Sequence, residues 1–340
     1  MELQINHTNP KSSSSDSNSK PPKYFLASNE LASLFGISPQ AASMWMKHHK
    51  IDTFRFTNKS ALTPESARSF LEKRGYTYPS EDIAFLALKG GSGKTASAFN
   101  LAVRLNSYGA KVLCIDLDMQ GNLTDAFGLD LDEADPVFID IVEGNVKIHE
   151  VIKHINPGLD LIPSSFNNSA LDYGVTQKPT NLQTFIKDLL APIRKHYDYV
   201  IIDCSPALNT INTSVALGAD RVIIPINPEK FSKKGLIRSI KEFDRLDAAF
   251  KTKINYQLLF TLYESRESSS SKYLLDYGAE YRDRMLSTLI HRSAEVKNTI
   301  DRQQCIFDSK KASARDDFDQ LTREVMGLSK FTAEKEVLNG

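Results

Sequence analysis

The pattern of apolar and polar positions changes twice along the chain. The N-terminus holds the polar tract SSSSDSNSKPP, which cannot bury enough surface to offset the entropy of ordering. Apolar positions then follow helical spacing, and beyond residue 82 short apolar runs alternate with helical patterns. This pattern predicts a disordered tail at residues 1–22, a mainly helical module at 23–75, a linker at 76–81, a larger domain at 82–328 and a C-terminal tail at 329–340.

The larger domain shows the pattern of a buried parallel sheet. Most of its apolar runs are continuous, as is typical of strands that helices cover on both faces. We predict strands at residues 83–88, 111–116, 159–163, 199–203, 221–225, 255–262 and 286–290. Helices are clearest at 95–107, 181–194, 230–250 and 312–326. The alternation predicts an α/β fold with a doubly wound, mostly parallel sheet.

The sequence of the N-terminal module predicts a helix, a tight glycine-containing turn and a second helix. The second helix opens with Ser38-Pro39, an N-cap followed by proline at the first helical position. After a strand-like piece at residues 54–57, Thr63 caps a third helix that reaches about Lys73. We therefore predict a small, mainly helical domain.

Composition adds little to this picture. Hydrophobic residues make up 41% and charged residues 25%, as in soluble globular proteins. Lysine plus arginine and aspartate plus glutamate both total 42, so any affinity for nucleic acid must come from local patches. The three cysteines form no CxxC pair, and no apolar run is long enough for a membrane span or a secretion signal. We expect a soluble cytoplasmic protein with no membrane partner.

The segment LKGGSGKTASAFN at residues 88–100 is a variant phosphate-binding loop. It lies between an apolar run and a helical pattern, but Leu88 stands where the usual motif has its first glycine. Its glycines present backbone N–H groups to phosphate, Lys94 reaches the β- and γ-phosphates, and Thr95 offers a hydroxyl to Mg²⁺. The segment predicts a nucleotide site, and the alternative is a glycine-rich turn without a ligand.

Three aspartates follow predicted strands. Asp116 and Asp118 come at the end of one buried run and Asp203 at the end of another. Ligands of open α/β sheets bind at the carboxyl ends of the strands, so these carboxylates should lie near the phosphate loop. Any one of them alone could be an ordinary turn residue at a strand end.

Four segments together resemble the ParA family of DNA-partitioning ATPases. They are KGGSGKT at 89–95, DLDMQGNLT at 116–124, IIDCSPAL at 201–208 and IIPINPEKFSKKGL at 223–236. They occur in the family's order, within residues 82–326. The resemblance implies an ATPase with a deviant Walker A loop that binds ATP and Mg²⁺ and closes into a sandwich homodimer.

The resemblance also implies roles for individual residues. Lys89 would cross to the nucleotide of the other subunit. Asp118 would polarise the attacking water and belong to the Mg²⁺ site, and Asp203 would hold Mg²⁺ through a water. The loop 120–122 would sense the γ-phosphate. The implied nucleotide contacts are Lys89, Gly90, Gly91, Ser92, Gly93, Lys94, Thr95 and Ala96, with Asn227, Pro228 and Glu229 beside the adenine. For Lys89, the alternative is a lysine at the mouth of an anion site with no role across an interface.

The N-terminal module is locally basic and resembles the winged-helix or helix-turn-helix modules of longer plasmid ParA proteins, which bind operator DNA. Gln40 and Ser43 would reach base edges, and Lys47 and Lys50 would contact phosphates. A small helical domain that contacts a partner or a second subunit is the alternative.

The family also binds DNA without sequence preference through C-terminal basic residues. Arg266, Arg292 and Lys297 are the candidates here, although Glu295 stands where an arginine is expected and each could belong to a solvated basic face. The resemblance implies a ParB-type partner, nucleoid DNA and a nucleoid-associated location. A positioning ATPase for a protein cargo and a nucleotide-modulated repressor are the alternatives.

Overall fold

The computed structural model describes residues 21–177, 181–309 and 313–332, so the predicted tail at 1–22 and the last residues of the predicted C-terminal tail lie almost wholly outside the described residues. The strands are β1 Leu26–Ala27, β2 Phe54–Phe56, β3 Lys59–Leu62, β4 Glu81–Phe85, β5 Val112–Asp116, β6 Lys153–Asn156, β7 Leu159–Ile162, β8 Tyr199–Asp203, β9 Arg221–Ile226, β10 Tyr256–Tyr263 and β11 Met285–His291.

The helices cover the sheet and form most of the N-terminal module. They are α1 Ser28–Leu34, α2 Pro39–His48, α3 Pro64–Lys73, α4 Lys94–Ser107, α5 Asn122–Phe127, α6 Phe138–Glu143, α7 Ile148–Val151, α8 Leu171–Thr176, α9 Phe185–Leu190, α10 Thr210–Gly218, α11 Lys230–Phe250, α12 Ser268–Glu280, α13 Ala294–Asp301 and α14 Ser313–Met326. Within the stretches that the structure describes, none of the helices is long and apolar enough to cross a lipid bilayer.

The central sheet has eight strands in the order β11-β10-β9-β4-β8-β5-β7-β6. All neighbours are parallel except β6, which pairs antiparallel with β7 at one edge. Along β4, Ile83 and Phe85 belong to one buried apolar cluster, while Ala84 and the following Leu86 belong to another. Both faces of the sheet are therefore covered, and the predicted mostly parallel α/β sheet is confirmed.

In the larger domain, the structure adds one strand to the prediction and shortens one helix. The strand β6 was not predicted, because its sequence KHIN is short and mostly polar. The predicted helix at 181–194 shortens to α9, and its early C-terminal end is explained by Pro192, which lacks the N–H that a continuing helix needs. Residue 312, where the last helix was predicted to begin, lies outside the described residues.

The N-terminal module contains three helices and the antiparallel sheet β1-β3-β2. Both predicted caps are present: the Ser38 hydroxyl accepts from the Ala41 amide at 3.1 Å, and the Thr63 hydroxyl accepts from the Ser66 amide at 3.2 Å. Gly36, with φ of 60°, makes the turn between α1 and α2. The predicted strand-like piece is β2, which pairs with β3.

A buried ionic cluster joins this module to the larger domain. Glu30 on α1 pairs with Arg104 on α4 and with Arg315 on α14. Arg104, fully buried, also binds Asp319 at 2.6 Å. Burial by itself raises the pKa of Glu30, but the two arginines lower it to about 2. The cluster fixes the module against the outer side of α4, the helix that follows the phosphate loop.

The predicted linker and the start of the predicted C-terminal tail also make contacts. The Tyr76 hydroxyl donates to the Met326 carbonyl at 2.7 Å, and the Tyr78 hydroxyl donates to the Tyr108 carbonyl at 2.6 Å. Phe331 packs edge-on against both Phe35 and Tyr76. Residues 76–78 and 331 therefore hold the N-terminal module in place.

Candidate nucleotide-binding site

The phosphate loop connects β4 to the N-terminus of α4. Gly91 and Gly93 have φ of 74° and 87°, a region that side chains rarely adopt. A Cβ at Gly90 or Gly91 would meet no atom within 4 Å, so open space lies beside the loop. The Thr261 hydroxyl donates to the Ser92 carbonyl at 2.8 Å and ties the loop to β10. The loop amides and the positive end of a 14-residue helix form an anion site.

A hydroxyl and a carboxylate lie together at the start of α4. The Thr95 hydroxyl donates to Asp203 Oδ2 at 2.6 Å. Asp203 is fully buried at the end of β8, and its Oδ1 has no hydrogen-bond partner among the described residues. Burial, followed by the charge of Asp116, raises the pKa of Asp203 well above the usual carboxyl range. A nearby cation would relieve this by favouring the ionised carboxylate.

These two oxygen donors fit Mg²⁺. The ion prefers hard oxygen ligands and usually keeps several waters, with one or two protein groups and substrate phosphates. Nowhere in the described ranges do three or more histidine, cysteine, aspartate or glutamate side chains form a group that could hold a metal. One hydroxyl and one carboxylate from the protein suit a metal that arrives with phosphates.

Asp116 and Asp118 differ in their surroundings. Asp116 is buried and accepts from the Asp118 amide at 3.1 Å and from the Thr124 amide and hydroxyl at 2.9 and 2.8 Å. Asp118 instead lines the open cavity, where its Oδ1 accepts from the Gln120 amide at 3.1 Å. Asp116 thus shapes the loop, while Asp118 is placed to contact a ligand.

A cavity of about 1000 Å³ extends from the phosphate loop to the ends of β10 and β11. Of the residues that the sequence predicted, it brings together Gly90, Gly91, Gly93, Lys94, Thr95, Ala96, Asp118, Gln120, Asn122 and Lys297. Ser92 turns inward and is buried. The size of the cavity suits a nucleotide.

Sequence reasoning missed the far wall of this cavity. Thr261, Leu262, Ile290 and His291 line it from the carboxyl ends of β10 and β11. Both strands were predicted, so the strand-end argument that selected Asp203 could also have selected these residues.

The residues predicted beside the adenine lie elsewhere. Asn227, Pro228 and Glu229 do not line the cavity. Glu229 forms an ion pair with Lys89 of the same chain, and Asn227 Nδ2 donates to Glu229 Oε1 at 3.3 Å. In the structure Glu229 therefore holds Lys89, and the adenine contacts of residues 227–229 stay a prediction.

The predicted DNA contacts fall into two groups. Gln40, Ser43, Lys47 and Lys50 are all exposed, on or just after α2, while Ala42 and Met46 face the core. In the second group, Arg266 is exposed, Arg292 pairs with Glu264, and Lys297 lines the nucleotide cavity.

Comparison with known proteins agrees with this geometry. A family model described as an AAA domain matches residues 80–256, just over half of the chain. The chromosome partitioning protein ParA of Caulobacter vibrioides is 29% identical over 254 residues, which cover 73% of this chain and 94% of the relative. The chain belongs to the ParA family of P-loop ATPases.

Solved structures show the same fold as this ParA-family chain. A putative plasmid partition protein of Borrelia burgdorferi, bound to AMPPNP, is 26% identical with a TM-score of 0.60; the match covers 73% of this chain and 99% of that one. The ATP complex of a Cyanothece McdA variant is 22% identical with a TM-score of 0.66, over 74% of this chain and 97% of that one. The similarity to McdA concerns the fold alone.

Proposed function

We propose that this protein is a DNA segregation ATPase that partitions a plasmid or chromosome. Mg·ATP would drive sandwich dimerisation and binding to nucleoid DNA in the cytoplasm, and a ParB-type partner would stimulate hydrolysis and release. The observation that carries this proposal is that the phosphate loop, Thr95 with its Mg²⁺-suited hydroxyl, and the Asp118 carboxylate line the same cavity. The AMPPNP-bound relative from Borrelia supports ATP as the nucleotide.

In this mechanism different residues of the chain would contact the phosphates, the metal and the attacking water. The glycine loop and Lys94 would hold the phosphates, and Thr95 and Asp203 would hold Mg²⁺, which supplies charge neutralisation during phosphoryl transfer. Asp118 would accept a hydrogen bond from the attacking water. Once two subunits meet, Lys89 would stabilise the negative charge on the phosphates of the nucleotide that is bound to the partner subunit.

Lys89 must leave Glu229 before it can act across an interface. Both side chains are partly exposed, 28% for Lys89 and 46% for Glu229. An exposed ion pair of this kind contributes about 1 kcal/mol or less, so phosphates can displace the carboxylate at little cost. The pair therefore suits a lysine that is held in the monomer and released on dimerisation.

Replacing Lys89 with alanine should weaken ATP-dependent dimerisation at least about tenfold, because charge-assisted hydrogen bonds to phosphate are lost. Analytical ultracentrifugation with a nonhydrolysable ATP analogue measures the dimerisation constant. Lys230→Ala removes a neighbouring exposed lysine and serves as the control. A Lys89→Ala protein that dimerises and hydrolyses ATP like the wild type would remove Lys89 from the interface.

Binding to random-sequence duplex DNA tests the whole proposal. We expect tight binding only with ATP and Mg²⁺, and weak binding with ADP or without nucleotide. The affinity should fall steeply with salt, because phosphate contacts release counterions. Fluorescence anisotropy across a salt series in each nucleotide state provides the measurement.

The N-terminal module supports operator binding as an added role, since α2 presents Gln40, Ser43 and Lys47 to solvent. A Lys47→Ala, Lys50→Ala double variant should keep ATP-gated binding to random DNA, whereas Arg266→Ala should reduce it. Wild-type binding that ignores the nucleotide, and is lost in the lysine double variant, would replace the partition proposal with a nucleotide-modulated repressor.

A further inference from the structure

We propose that His291, oriented by Asp317, selects the nucleobase and favours a 6-aminopurine over a 6-oxopurine. The inference rests on the proposed nucleotide site and names a contact at its base end. His291 is the last residue of β11 and lines the same cavity as the phosphate loop.

The strand order places His291 where a base would lie. The phosphate loop follows β4, and β11 lies three strands away in the order β11-β10-β9-β4. At a spacing of about 4.8 Å per strand, the end of β11 is about 14 Å across the sheet from the end of β4. A triphosphate on the loop therefore directs its sugar and base along the cavity toward this end.

The wall around His291 suits a flat aromatic ring. Apolar side chains line this part of the cavity from β10, β11 and the two last helices: Leu262, Ile290, Val296, Ile300 and Phe318. An apolar wall favours the faces of a purine but does not distinguish one purine from another. Discrimination needs a hydrogen-bonding group with a fixed role.

Asp317 fixes the role of each ring nitrogen of His291. The Nδ1 atom lies 3.0 and 3.1 Å from the two carboxylate oxygens of Asp317, which also accepts from the His291 backbone amide at 2.8 Å. A carboxylate accepts hydrogen bonds, so Nδ1 carries the proton and Nε2 of the neutral ring is an acceptor. The edge of the ring also packs against Tyr263, with centroids 5.3 Å apart.

A hydrogen-bond acceptor at this position distinguishes purines by the group that they carry at position 6. Adenine carries an amino group at position 6, which donates to Nε2. Guanine and hypoxanthine carry a carbonyl oxygen there, so two acceptors would face each other and both would lose their hydrogen bonds with water. Lys297 and Asp301 on α13 are charged groups of the same cavity, and Arg292, the next residue after His291, pairs with Glu264.

Paired changes in protein and ligand test this contact at pH 8. The ligands are the Mg²⁺ complexes of ATP, GTP and purine riboside triphosphate, which has hydrogen at position 6. The wild type should bind ATP about 3- to 10-fold more tightly than the purine analogue, the worth of one hydrogen bond, and GTP more weakly than either. His291→Phe keeps a ring in place and should bind ATP and the purine analogue equally.

Asp317 is a positioning residue, so its variants need a readout beyond affinity. Asp317→Ala should lower the ratio of ATP affinity to purine-analogue affinity, and Asp317→Asn, which retains an acceptor oxygen, should restore most of it. Inorganic tripolyphosphate reports on the phosphate loop alone, and its affinity should be equal in all variants.

The chain supplies a matched control. His154 on β6 binds Asp160 through Nδ1 at 2.8 Å, a similar histidine–aspartate pair at the opposite edge of the sheet. His154→Phe should leave every ratio unchanged. The inference is overturned if His291→Phe keeps the wild-type ratio, or if the wild type binds ATP and the purine analogue equally. A wild type that binds tripolyphosphate but no nucleotide would remove the proposed function as well.

Discussion

The Lys94→Ala variant is expected to lose binding of Mg·ATP almost completely, with an affinity at least about 100-fold lower than that of the wild type, or about 2.8 kcal/mol. Lys94 begins α4, lines the nucleotide cavity and is only 7% exposed. An ammonium group held in a partly dehydrated cavity interacts strongly with phosphate oxygens. Lys94 is the one lysine of α4, so no second lysine of this helix can replace it.

Removing Lys94 also changes the metal side of the site. Its charge counteracts the burial that raises the pKa of Asp203, so its loss should keep that carboxyl protonated over a wider pH range. Isothermal titration calorimetry measures the nucleotide affinity, and a thermal melt shows that the variant is folded. Lys241→Ala, on the exposed face of α11, is the matched control. An affinity within about threefold of the wild type would mean that the phosphate site is wrongly assigned.

The parts of the fold and site that sequence predicted are those with a local signal. A continuous apolar run predicts a buried strand, and the residues at its end mark the edge of the sheet at which ligands bind. This reasoning found Asp118 and Asp203, and the glycine pattern with Lys94 and Thr95 gave the loop. Helix caps at Ser38 and Thr63 were predicted for the same reason, since an N-cap lies three residues from the amide that it accepts from.

The parts that sequence could not predict join distant residues. Lys89 and Glu229 are 140 residues apart, and Glu30 and Arg315 are 285 apart. No spacing rule relates such positions, so Glu229 was interpreted from its motif as a contact of the base, whereas the structure places it on Lys89. His291 follows a predicted strand, but the role of its ring depends on Asp317, which the chain brings to it only through the packing of α14 on β11.

Replacing Asp118 should separate chemistry from binding. In Asp118→Ala the carboxylate that lines the cavity is lost, while the phosphate loop, Thr95 and Asp203 remain. We expect ATP affinity and ATP-dependent dimerisation to stay within a few-fold of the wild type, and turnover to fall at least about 100-fold, the usual effect of losing a group that acts on the attacking water.

Asp118→Asn distinguishes a catalytic role from a structural one. Asp118 Oδ1 accepts from the Gln120 amide, and an asparagine oxygen can keep this bond and the shape of the loop. If the charge matters, Asn should be as inactive as Ala; if the residue only holds the loop, Asn should be active. Asp125→Asn, which removes another carboxylate of the same cavity, is the control. Single-turnover hydrolysis of prebound ATP measures the chemical step alone, and an Asp118→Ala protein with wild-type turnover would exclude Asp118 from catalysis.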